Sequence, residues 1–155
     1  MMKFLKWLAI VVLLVPVLLV AGFYVRNKAV GPAGWAEDNT IKTLRARMKD
    51  PDSMVIRSSY FVRKVAASGD VEIAMCGIVD GKNSFGGFTG GTRFVSVSTD
   101  YKNTETFDTH IVQMDESSSS DRAAAQSLHR VTPFEEVYWN GHCVDDAHPA
   151  LVAEN

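Results

Sequence analysis

Apolar positions along the chain fall into three patterns. The first is continuous: from Trp7 to Val25, "WLAIVVLLVPVLLVAGFYV", nineteen residues carry no charge. At ~1.5 Å of rise per residue they make roughly 28 Å of helix, close to the ~30 Å hydrocarbon core of a bilayer, so residues 7–25 are expected to span a membrane as one helix. Pro16 removes a hydrogen bond in mid-span and kinks it. The competing expectation is a secretory leader cut near Val20-Ala21-Gly22. No cysteine stands at that boundary to carry a lipid.

The second pattern has helical spacing. Ile41, Leu44 and Met48 share one face of "WAEDNTIKTLRARMK", which predicts a helix over Trp35–Lys49, with Arg45, Arg47 and Lys49 at the end where cations suit the helix dipole. Asp50-Pro51-Asp52 stops it, and the glycines and proline of "NKAVGPAG", residues 27–34, separate it from the apolar run.

The third pattern alternates. "SMVIRSSYFVRKVAA" and "DVEIAMCGIVDG" are rich in β-branched and aromatic residues and are joined by Ser68-Gly69-Asp70, a turn composition. In the second, Val71, Ile73 and Met75 alternate with Glu72, Ala74 and Cys76, one face apolar and the other mixed. "TRFVSVSTD" from Thr92 and "TFDTHIVQM" from Thr106 continue as third and fourth strands. Short connections favour an antiparallel meander, which needs a helix on its apolar face; the Ile41 helix supplies one. Further on, a serine such as Ser120 is placed to cap a short helix over Ala123–Leu128. Glu136–Trp139 reads as one more short strand before a turn at Asn140-Gly141. The fold expected is therefore α+β: a single N-terminal transmembrane helix (1–30, anchor or uncleaved signal), a linker (31–34), a small antiparallel sheet packed with one or two helices (35–149), and a flexible tail (150–155).

Charge changes this picture little. Sixteen Lys and Arg stand against eighteen Asp and Glu, a formal net charge of −2, which gives no electrostatic ground for a nucleic-acid partner. Cysteine changes it more. Two cysteines, Cys76 and Cys143, suit a single disulfide in an oxidising compartment. Lys3 and Lys6 before the span nearly balance Arg26 and Lys28 after it, so the cysteines decide the expected orientation: a single-pass protein of the bacterial inner membrane with its C-terminal domain in the periplasm.

The candidate chemistry lies in "DGKNSFGGFTGG", Asp80–Gly91. A phosphate loop would lead into a helix, whose amino terminus supplies free N–H groups; here the next segment is a strand, and Lys82 precedes the glycines rather than following them, so no nucleotide is expected. A nucleophilic Ser84 with Lys82 as its base would need a further positioned partner that the sequence does not fix. An ordered wide turn accounts for more, because glycine permits tight bends and Asn83 and Ser84 can bond nearby backbone. Lys82, Asn83, Ser84, Phe85, Gly86, Gly87 and Phe88 are then candidate binding residues, with Phe85 and Phe88 as a contact surface. "HCVDDAH" offers His142, Cys143 and His148 as metal ligands, but at no known zinc spacing, and a disulfide would remove the thiolate. No cofactor is implied.

Together, "CGIVDGKNSFGGFTGGTRF", the preceding "MKDPDSMVIR" and the later "YWNGHC" resemble a family of small, uncharacterised, exported or membrane-anchored proteins of Gram-negative bacteria and prophages. Its motif is Cys-Gly-x-Val-x-x-Lys-Asn-Ser-x-Gly-Gly-aromatic-x-Gly, and the likeness covers about Met48 to Val144. Members often have Asn at the place of Asp80 and Tyr at that of Phe88. The resemblance implies an exported small domain and no established activity. The expected function is a membrane-tethered periplasmic binding or accessory module that contacts another envelope or membrane protein through the glycine loop. A small envelope hydrolase using Ser84 or a His142/Cys143/His148 metal site is the alternative, and the bilayer is a second partner through residues 7–25.

Overall fold

The computed structural model describes residues 2–153, with the side chains of residues 1–11, 13, 23 and 26–29 outside the description. The chain divides into two compact units, Met1–Gly31 and Pro32–Asn155. A helix, α1, runs over Met2–Arg47 and is broken at Gly31, whose backbone (φ 63°, ψ −177°) is not helical; the expected linker 31–34 lies at this break.

The expected transmembrane helix is corrected. Among the described residues, no helix is long and apolar enough to cross a membrane. Positions 7–11, 13 and 23 of the expected span lie outside the described side chains. The single-pass inner-membrane location, which rested on that span, is corrected with it.

The second unit is the predicted α+β domain. Four strands, β1 (Val55–Val65), β2 (Val71–Asp80), β3 (Thr92–Tyr101) and β4 (Thr106–Met114), form one antiparallel sheet in the order β1-β2-β3-β4. Alternation divides the central strands between two cores. On one face Met75, Val79 and Phe94 pack with Leu44 of α1, flanked by Met48, Phe61 and Met114. Among the described residues of this helix the buried ones are Ala36, Thr40 and Leu44, spaced by four, so Thr40 rather than Ile41 points inward. Its hydroxyl is satisfied there, donating to the Ala36 carbonyl at 2.6 Å and lying 2.6 Å from Ser96 Oγ.

On the other face Ala74, Cys76, Val95 and Val97 pack with Phe134 and Cys143, and Tyr138 and Trp139 lie against them. The cover on this face is helical where a strand is expected: Glu135–Trp139 forms a π-helical turn that leads into α3 (Asn140–His142). The reason is packing. Phe134 belongs to this core and Tyr138 and Trp139 both pack against it, whereas a strand would send Tyr138 and Trp139 to opposite faces. Arg93 fastens this cover to β3, donating to Asp115 at 2.8 Å and Glu135 at 2.7 Å, with its guanidinium 5.7 Å and 5.5 Å from the Phe134 and Trp139 ring centres. Because both faces are covered, β2 and β3 are buried almost without interruption.

Between β4 and this cover lies α2 (Ser119–Ser127). Ser118 caps it, accepting from the Asp121 amide while Asp121 accepts from the Ser118 amide. The cap stands two residues before the expected Ser120. Leu151, in the segment expected to be loose, exchanges two hydrogen bonds with the Asn140 side chain at 2.9 and 2.8 Å.

Candidate functional site

The loop between β2 and β3 is organised by a buried carboxylate. Asp80, the last residue of β2, is 1% exposed. Its Oδ1 accepts from the Gly81 amide (2.8 Å), the Thr89 amide (3.1 Å) and the Thr89 hydroxyl (2.9 Å), and its Oδ2 accepts from Arg57 Nε (2.7 Å) and Nη2. Burial by itself would raise this carboxyl. The hydrogen bonds from Arg57, Thr89 and Gly81, with the Arg57 charge, outweigh it and hold the pKa at about 2, below the ordinary 3.8. Arg57 reaches the site because the β1–β2 register shifts between Ile56 and Ser58, and a bulge re-aims the side chain it carries.

Asp80 therefore closes both stems of the loop, and a second side chain shapes the tip. Asn83 Oδ1 accepts from the amides of Phe85 (2.9 Å) and Gly87 (3.2 Å), while the Asn83 amide donates to the Gly87 carbonyl (2.8 Å) and its carbonyl accepts from Gly86 (2.9 Å). Gly86 takes φ 81°, a conformation that side chains disfavour, so the turn requires glycine there. Below the tip, Lys82 and Phe88 form an isolated antiparallel bridge, and the Lys82 amide donates to Ser53 Oγ at 2.8 Å. The loop is thus hydrogen-bonded from stem to tip.

What the loop presents is aromatic and cationic. Phe85 is 97% exposed and Phe88 is 50% exposed. The Arg57 guanidinium and the Lys82 ammonium each lie 5.8 Å from the Phe88 ring centre, which steadies that ring by cation–π attraction. Among the described residues Phe85 has no such cation beside it. Ser84 is exposed, and among the described residues no histidine or carboxylate hydrogen-bonds to it.

The cysteines are joined as predicted, Cys76 to Cys143, with Cα atoms 5.9 Å apart and both side chains buried. The bond commits the Cys143 sulfur and separates the two neighbouring imidazoles into different pairs. His142 Nδ1 lies 3.1 Å from Glu72 Oε1; His148 Nδ1 lies 2.7 Å from Asp145 Oδ1, and its ring stacks on Tyr60 at 3.7 Å. Among the described residues no group of three or more His, Cys, Asp or Glu could hold a metal ion.

Four residues of the site escape sequence reasoning: Ser53, Arg57, Asp80 and Thr89. Asp80 left a signal, an acid closing a mostly apolar strand just before the glycines. Arg57 left none, since only the bulge aims it. Comparison with family models, curated proteins and solved structures finds no match to this chain.

Proposed function

We propose that the domain is a non-enzymatic binding or accessory module that contacts another protein through residues 82–88, with Phe85 as the anchor. The observation that carries this reading is a phenyl ring 97% exposed at the tip of a loop whose backbone is already held by Asn83 and Asp80. Aromatic anchors dominate binding energies at interfaces, and a loop ordered in advance loses little entropy on binding. The neighbouring Arg57 and Lys82 suit a partner with an apolar pocket bordered by carboxylates. A buried disulfide suits an oxidising setting, and the motif's likeness to small exported proteins of Gram-negative bacteria supports a cell-envelope partner.

The test is affinity capture from envelope extracts with three full-length baits: the native chain, Phe85→Ala and Ser84→Ala. Because Phe85 is so exposed, its truncation leaves stability within about 0.5 kcal/mol. Proteins captured by the native chain and by Ser84→Ala, but lost with Phe85→Ala, support the reading. An identical set from all three baits refutes it.

A further inference from the structure

A second surface is built differently from the loop. A cleft of about 710 Å³ is lined by α2 and its cap Leu128, by Val137 and Tyr138, and by Gln113 and Met114 at the end of β4. None of residues 82–88 lines this cleft. Its volume is that of a ligand site.

Three features say what it would hold. First, its walls are apolar and wet: no residue of α2 is buried, Leu128 is 69% exposed and Val137 is 59% exposed. A helix of nine residues has little stability of its own and ordinarily buries a face; this one is held by its capping box and by an Arg122–Asp115 ion pair at 3.4 Å, leaving the face toward the cleft uncovered. Second, β4 is an edge strand that pairs with β3 alone among the described residues, so its outer edge offers backbone donors and acceptors to an added strand. Third, the lining carries three carboxylates, Glu116, Asp121 and Glu136, against one cation, Arg130, which is already paired with Glu136 at 3.0 Å. Glu116 has no ion-pair partner among the described residues. The cleft is therefore apolar within and negative at its rim.

We infer that this cleft binds an extended segment of a partner protein in which apolar and basic side chains alternate. The segment adds to the β4 edge, its apolar side chains enter between Leu128 and Val137, and its lysines or arginines meet the carboxylates of the rim.

The probe is an acetylated, amidated hexapeptide, Lys-Val-Lys-Val-Lys-Val, with Glu-Val-Glu-Val-Glu-Val as its control, titrated into the isotope-labelled full-length chain. Saturable amide shifts at Met114, Ala125, Leu128 and Val137 are expected, with affinity at least about tenfold higher for the basic peptide. Val137→Arg, on an exposed wall where folding is not at stake, should weaken binding by at least about tenfold, and Glu116→Gln by a smaller factor with reduced salt dependence. Equal affinity for the two peptides, shifts confined to residues 82–88, or binding unchanged in both variants would overturn the inference.

Discussion

Breaking the Cys76–Cys143 bond tests the architecture most directly, because it alone ties the helical cover to the sheet covalently. The bond spans 67 residues, and in the chain-entropy model a loop of that length removes about 4 kcal/mol of unfolded-state freedom. The unit Pro32–Asn155 has an unfolding entropy of about 0.25 kcal/mol/K at roughly 2.1 cal/mol/K per residue. The quotient is a fall in melting temperature on the order of 15 °C. Two arms separate the contributions. The native chain in reductant keeps both sulfurs and loses only the cross-link; the Cys76→Ala/Cys143→Ala variant also leaves a small cavity at a fully buried site, so it should melt lower still. Circular dichroism followed against temperature reads both. If the fully reduced native chain, its thiols verified by labelling, melted within about 3 °C of the oxidised chain, a difference of less than about 1 kcal/mol, the cover would be held by packing and its hydrogen bonds to the sheet, and the role given to the cross-link would be refuted.

Two further outcomes follow from single residues. A Cβ on Gly77 would stand 2.2 Å from the Ser58 carbonyl oxygen and 3.0 Å from the Phe94 ring, so Gly77→Ala should cost about 3 kcal/mol or more in denaturant unfolding; a loss under about 1 kcal/mol would mean the sheet yields there. Asp80, with its pKa lowered to about 2 from 3.8, releases fewer protons when unfolded below that ordinary value, so its contribution is complete above about pH 4 and is lost as pH falls through about 2. Asp80→Asn should therefore be less stable than the native chain at pH 7 and lose less stability between pH 4 and pH 2; parallel curves for the two proteins would contradict the role given to this carboxylate.

The strands were legible because they are rich in β-branched and aromatic residues, because β2 and β3 alternate, and because turn residues separate β1 from β2, and the disulfide because there were only two cysteines to join. Less legible was anything set by tertiary contact. Tyr138 and Trp139 favour strands locally, and it is their shared packing against the core under β2 and β3 that makes the segment helical. The apolar run 7–25 reads as a span on hydropathy alone, while the described residues hold no helix that qualifies. In the loop, glycines and Asn83 announced an ordered turn, yet the residue that closes its stems was visible only as an oddity of composition, and its cation depends on a one-residue irregularity in β1.

The helical cover comes later in the chain than every strand it protects. At synthesis rates of about 5 to 20 residues per second, the 67 residues between the bonded cysteines take roughly 3 to 13 s to make. Until it ends, Val62 and Ala74, joined by Val95 and Val97 once they are made, have no lid and the Cys76 thiol has no native mate. Synthesis order thus leaves one apolar face of the sheet and one thiol open to wrong partners until the last quarter of the chain is made.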